Sequence, residues 1–255
     1  MDKAKNLAEY NISDIISRSW QLLKDNFQPI VVIILVVYIP INIILRLVQP
    51  EVMPEGGEFT WESLEVYWRI IQVLEALIGV LAVMAITWIV FQRVSGNNDE
   101  IDFKDALGKA FSKWGVAVGT SILAGVMLMG LYLLFIVPGI IFSVFWVFVI
   151  EVVIVKDLSF KKALDYSKSV VKGRWWKTIW YSIVLSLFSA VIIFIGALPF
   201  LFTPDNFFFN IIGDTWVDVI ASFFIVIWAV MFLSFDASKL NDKPKGITED
   251  AKSAN

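Results

Sequence analysis

Apolar residues in this chain come in long blocks rather than in alternation, and the blocks set the length scale. From Trp114 to Val155 the sequence runs 42 residues with Glu151 as its one Asp, Glu, Lys or Arg, interrupted by the pair Pro138-Gly139. As helix this stretch measures about 60 Å, twice the ~30 Å hydrocarbon slab of a bilayer, so it predicts two membrane spans joined by a minimal turn. Windows of about 19 residues extend the pattern to six spans, near 29–48, 68–91, 114–137, 139–155, 178–200 and 212–235. The first apolar run begins at Ile30, contains Pro40 and lacks a small-residue cleavage site, so it predicts a span and not a removable signal peptide.

The connections between the blocks alternate in charge. Segments 1–28, 92–113, 156–177 and 236–255 hold 19 of the 21 Lys and Arg residues; the other side keeps Arg46 and Arg69, with Glu51, Glu55, Glu58, Glu62 and Glu65 in its first loop. That bias predicts both termini on the cytoplasmic side. Trp20, Trp114, Trp175, Trp176 and Trp180 fall at the predicted inner boundary, and Trp61, Trp68 and Trp216 at the outer one. Residues 1–236 read as one six-span domain, and the polar tail 237–255 as disordered.

Three cytoplasmic segments resemble one another. Ile12, Ile15 and Ile16 lead through Ser19 and Lys24 to Phe27, and Phe160, Ala163 and Leu164 lead through Ser167 and Lys172 to Trp175 at the same spacing. Phe103-Lys-Asp-Ala-Leu107 opens alike and reaches Trp114 four residues sooner. Apolar positions at i, i+3 and i+4 predict amphipathic helices lying in the headgroup plane. The chain thus predicts an all-α fold of six transmembrane helices and three interfacial cytoplasmic helices. They form three parallel pseudo-repeats, about 10–92, 101–156 and 157–236.

Composition narrows the chemistry. A 58% hydrophobic content and a mean hydropathy of +0.74 place the chain in the membrane class. It has neither cysteine nor histidine, which excludes disulfides, thiolate chemistry and a Ser-His-Asp triad and predicts no metal and no cofactor. The net charge is −3 and the basic residues face a membrane, so nucleic acid is not an expected partner; membrane lipids are, with a membrane-protein partner or a second copy possible.

The run Leu134-Phe-Ile-Val-Pro-Gly-Ile-Ile-Phe142, then Glu151, Asp157-Leu-Ser-Phe-Lys-Lys-Ala-Leu-Asp-Tyr-Ser-Lys-Ser169 and Lys172-Gly-Arg-Trp175, resembles the YciC-like membrane proteins of bacteria and archaea. It is also similar to the related membrane domain attached to some glycerophosphoryl diester phosphodiesterases. Tyr10-Asn-Ile-Ser-Asp-Ile-Ile16 and Trp20-Gln-Leu-Leu-Lys-Asp-Asn-Phe27 look like the start of the same family. The resemblance implies a polytopic inner-membrane fold and carries no catalytic motif. The phosphodiesterase activity belongs to a separate soluble barrel absent here.

Five features are candidates for function. Pro138-Gly139 has only apolar neighbours, so its turn is expected to stop below the outer surface with its backbone groups met by neighbouring protein; it is either a packing hairpin or a broken-helix site. Asn42 and Arg46 share one face of the first span, Gln72 and Glu75 one face of the second, and Arg46 and Glu75 are expected to form an ion pair, structural or cation-coupling. Glu151, one helical turn from Lys156, is expected to meet a Lys or Arg of an amphipathic helix, and Asp214 and Asp218 to complement the N-terminal dipole of the sixth span. Gly115, Gly119, Ser121 and Gly125 mark a small-residue face for packing within the bundle, or between copies. Lys161, Lys162, Lys168, Lys172, Arg174 and Lys177 are placed to attract anionic lipid headgroups.

The leading expectation is a non-enzymatic membrane protein that is structural, lipid-interacting or partner-binding. The alternative is a small-molecule or lipid transporter with its site near Pro138 and Glu75. A polar cavity reaching the bilayer midplane separates the two. The mid-span polar groups expected to line one are Thr87, Thr120, Ser121, Ser143, Ser186 and Ser189. No facing pair of acids suited to an intramembrane enzyme is evident.

Overall fold

The computed structural model describes residues 10–52, 60–97, 99–204 and 206–241, and every regular element among them is helical. α1 (Ile12–Asp25) buries Ile15, Leu22 and Leu23 and exposes Lys24 and Asp25. It opens on a reciprocal cap: the Asp14 N–H donates to Asn11 Oδ1 at 2.9 Å and the Asn11 N–H to Asp14 Oδ2 at 3.1 Å. α2 (Phe27–Val52) follows after Asn26 alone, whose Nδ2 donates to the Leu22 carbonyl and whose Oδ1 accepts from Arg93 Nε at 2.6 Å. α3 (Trp61–Leu74), a π turn (Glu75–Gly79) and α4 (Val80–Val94) run without interruption. α5 (Phe103–Leu134), α6 (Ile136–Phe145), α7 (Val149–Lys156), α8 (Phe160–Val171), α9 (Trp175–Ala197), a 3-10 turn (Leu198–Phe202) and α10 (Phe207–Asn241) complete the order.

Six stretches are long and apolar enough to cross a membrane: Phe27–Gln49, Trp61–Val94, Phe103–Leu134, Ile136–Lys156, Trp175–Phe200 and Phe207–Lys239. The chain is a multi-pass membrane protein. α4 and α10 form its centre, where Met84, Ile86, Ile89, Val226, Val230 and Phe232 are fully buried. α5 and α9 are peripheral and turn Ile122, Leu133, Leu187 and Phe194 outward. Such exposed apolar faces suit a solvent as greasy as the core itself.

The structure moves several expected boundaries. The third amphipathic helix does not exist separately: α5 runs from Phe103 through Trp114 to Leu134 without a break. Its two siblings end on a cap, Asn26 in one case and Gly173 with φ +86° in the other, and the four residues missing from the middle copy are those that would have carried it. The Trp114 indole N–H donates to the Leu77 carbonyl in the π turn, and its neighbour Lys113 bonds Asp157.

The hairpin turn sits at Phe135, not at Pro138-Gly139, both of which lie in the first turn of α6. Proline fits there because a first-turn N–H has no helical partner to lose. Glycine fits because any Cβ at position 139 would run into the Tyr132 ring. The tip is not covered by neighbouring protein as expected: Leu133 to Val137 are all strongly exposed. Its backbone is met locally, with the Phe135 N–H on the Leu131 carbonyl and the Gly139 N–H on the Phe135 carbonyl.

The fourth span is broken elsewhere, between Phe145 and Val149. There the Ser167 hydroxyl of α8 donates to the Phe145 carbonyl at 2.8 Å and accepts the Phe148 N–H at 3.3 Å, replacing helical bonds that the break removes. The α7–α8 corner is pinned to α5, since the Phe160 N–H, at a left-handed φ of 48°, donates to Thr120 Oγ1. The small face of α5 is Ala106, Ala110, Ala117 and Thr120, all buried. Gly115 and Gly125 face open space, and of the expected glycines only Gly119 has a close neighbour, the Phe160 ring. Of the expected tail, 237–241 is helical as the end of α10, and 242–255 lies outside the described residues.

Candidate functional site

Polar side chains recur at every fourth position along α2: Tyr38, Asn42 and Arg46. On a helix that spacing makes one stripe. The stripe faces Glu75 at the start of the π turn and Asp214, Thr215 and Asp218 on α10. A π turn adds a residue to the helical ladder and swings the following side chains round, and such turns collect at functional positions. Here the Glu75 carboxylate folds over Gly79, where a Cβ would collide with it.

Each rung of the stripe has an acid opposite. Tyr38 OH donates to Glu75 Oε2 at 3.1 Å. Asn42, buried to 5% exposure, donates from Nδ2 to Asp218 Oδ2 at 2.8 Å and to Thr215 Oγ1 at 3.2 Å. Arg46 donates to Asp214 Oδ2 from Nε at 3.0 Å and from Nη2 at 2.7 Å, and to Gln49 Oε1 at 2.9 Å. The expected Arg46–Glu75 ion pair is therefore not formed. Both residues line the same cavity, but α10 brings Asp214 to the guanidinium, and Glu75 takes the phenol instead. Gln72 is exposed and outside the lining.

The cavity measures about 290 Å³ and is walled by α2, α3, the π turn and α10, with Tyr67, Ile71 and Val217 between the polar groups. A second cavity of about 210 Å³, walled by α9, the 3-10 turn and α10, shares Arg46, Asp214 and Val217 with it. Tyr38 lies midway along Phe27–Gln49, and Asp218 lies about 16 Å in from Phe207. The polar lining thus runs from the end of the bundle that holds Arg46 to about mid-span. Beyond Tyr38 the interior is closed by Ile30, Ile33, Ile34 and Met84, all fully buried.

The balance is three carboxylates to one guanidinium. An ionised carboxylate offers about four acceptor positions. Glu75 and Asp218 each take one side-chain donor, so most acceptor capacity faces the cavity. Among the described residues no group of three acids converges closely enough for a metal ion. The lining suits a donor-rich molecule of several atoms.

Sequence reasoning found Arg46, Asn42 and Glu75, but gave Asp214 and Asp218 only a dipole role and saw no facing acids. The four-residue spacing of Asp214 and Asp218, matching that of Asn42 and Arg46, was the available signal. Thr120 spends its hydroxyl on Val116 and Phe160, and Thr87 and Ser189 have buried hydroxyls without a partner among the described residues. None of these lines the cavity.

The other candidates lie apart. Glu151 is buried, its Oε2 has no partner among the described residues in place of the expected Lys or Arg of an amphipathic helix, and nearby Lys156 bridges Asp236 at 2.5 Å. Among the six basic residues, Lys161 pairs with Asp165, Lys168 lies 4.8 Å from the Phe142 ring centre, Lys177 lies over Tyr181, and Arg174 donates to the Phe235 carbonyl. Lys161, Lys162, Lys172 and Lys177 remain exposed. No family model matches the chain, and no curated protein or solved structure is significantly similar to it.

Proposed function

We propose that this chain is a non-enzymatic, solute-binding protein of transporter type in a bacterial or archaeal cytoplasmic membrane, and that the α2–α3–α10 cavity is its binding site. Both ends face the cytoplasm, and three parallel units, each an amphipathic segment followed by two spans, make up the bundle. The charge bias of the connections supports this orientation, and kinship with the YciC-like proteins rests on the residues quoted from 134–175. In that orientation the polar end of the cavity opens outward and Ile33, Ile34 and Met84 seal it inward.

One observation carries the reading: an excess of carboxylates around a cavity at mid-span depth. Ionisable groups in membrane spans are costly and mark ligand or proton paths. The solute favoured is small and cationic, with ammonium or amidinium donors for Glu75 and Asp218 and aromatic faces from Tyr38 and Tyr67. A structural clasp is the second reading, favoured because Tyr38, Asn42 and Arg46 each already hold an acid.

The absence of cysteine makes the test direct. Val217→Cys and Ile34→Cys are labelled in right-side-out vesicles with a membrane-impermeant maleimide, with and without choline, putrescine and arginine amide as probes. Val217→Cys should react from outside and be protected by at least one probe, Ile34→Cys should not react, and Glu75→Gln should abolish the protection. No reaction at Val217→Cys, or no protection by any probe, overturns solute binding and leaves the clasp.

A further inference from the structure

A second, larger hollow lies on a different side of the bundle and is unlike the first in chemistry. It measures about 900 Å³ and is bounded by α1, the start of α2, α9 and α10. Every lining residue is apolar except Lys24 at the α1 end. At the far end Trp216 closes it, its indole N–H fixed on the Gly196 carbonyl at 3.2 Å. Gly196 permits this close approach, since a Cβ there would collide with the Ile220 side chain. On α9 the wall runs from Phe188, near mid-helix, about 12 Å to Gly196 beside Trp216.

We propose that this groove holds one hydrocarbon chain of an anionic phospholipid of the cytoplasmic leaflet, with the lipid phosphate on Lys24. Three observations point to this occupant. An apolar hollow of this size inside a membrane stays neither empty, because its walls would forfeit their dispersion contacts, nor wet, because they offer water no partners. Its apolar wall is continuous from the α1 end to Trp216. Its one cation stands where α1, with exposed Trp20, Lys24 and Asp25 beside buried Ile15 and Leu22, would meet the headgroups. Lys24 lies 5.8 Å from the Trp20 ring centre and makes no ion pair among the described residues, so its charge is available. This site is separate from the basic residues of α8 and from the solute cavity, and it stands whether or not that cavity binds a solute.

The full chain, purified in mild detergent, is offered equal concentrations of phosphatidylglycerol and phosphatidylcholine, and adducts are counted by native mass spectrometry. One tightly held lipid per chain is expected, with phosphatidylglycerol favoured about fivefold, the effect of one lysine near the headgroup. Lys24→Gln should bring the two lipids to parity without loss of folding. Ile195→Trp, at an exposed wall position, should fill the groove and cut occupancy of both about tenfold. Unchanged occupancy in Ile195→Trp, a headgroup preference that survives Lys24→Gln, or a dimer that Ile195→Trp dissociates would each overturn the proposal, the last by assigning the groove to a second copy.

Discussion

Two polar clusters built around acids sit near opposite ends of this bundle and are built on different terms. Near the end of α10, Asp236 is 4% exposed and takes Lys156 Nζ on one oxygen at 2.5 Å and Tyr166 OH on the other at 2.6 Å. Lys239 lies 3.7 Å from the Tyr166 ring centre and donates to Ser169 Oγ. Burial and the Asp236 bond hold the Tyr166 phenol above its ordinary pKa, so it stays a donor. One acid there has a cation on one oxygen and a phenol on the other. In the α2–α3–α10 cavity three acids meet one guanidinium around open space. A saturated cluster glues helices together, whereas an unsaturated one has capacity left for a ligand.

The sharpest way to break this contrast is to remove one acid from each cluster. Asp236→Asn strands the Lys156 charge and should cost about 3 kcal/mol, read as a lowered unfolding midpoint in detergent. Glu75→Gln should change that midpoint by less than about 1 kcal/mol while removing probe protection at Val217→Cys. A reversal of those two magnitudes would make the cavity the glue.

The Arg46–Asp214 pair tests an intermediate case, since the side chains are 22% and 42% exposed. A cycle of Arg46→Met, Asp214→Leu and the double variant should give a coupling of about 1 kcal/mol in unfolding experiments. The same cycle with Glu75 in place of Asp214 should give a coupling near zero. Gly79→Ala should displace the Glu75 carboxylate and weaken probe protection, with a smaller change in the unfolding midpoint than Asp236→Asn.

The smallest effect is expected at the surface. Lys113 bonds Asp157 and holds its carboxyl below the ordinary value of 3.8. A group depressed on folding stabilises fully above its unfolded pKa and loses that contribution as pH falls through the depressed folded value. Asp157→Asn, which tolerates the left-handed φ of 57°, should leave melting near neutral pH almost unchanged and flatten only the strongly acidic limb of the pH profile.

Span number and charge bias were legible in the sequence because bilayer thickness imposes a length on apolar runs. Partner identity was not. Arg46 and Glu75 share a cavity, yet which acid meets the guanidinium depends on how α10 lies against α2, and no local spacing records that. The turn at Phe135 was misread because proline and glycine mark both a turn and the first turn of the helix that follows. The break at Phe145 was invisible because its cause, the Ser167 hydroxyl, comes from another helix.

That unbroken run has a mechanical consequence. Elsewhere the chain has several places to yield: the Asn26 junction, the π turn, the gap after Phe145, the corner at Gly173. α5, like α10, has none, along about 48 Å. Force applied at Lys109 or Lys113 cannot be absorbed along the way and must tilt the whole shaft, sweeping Leu133 and Leu134 sideways through the far leaflet.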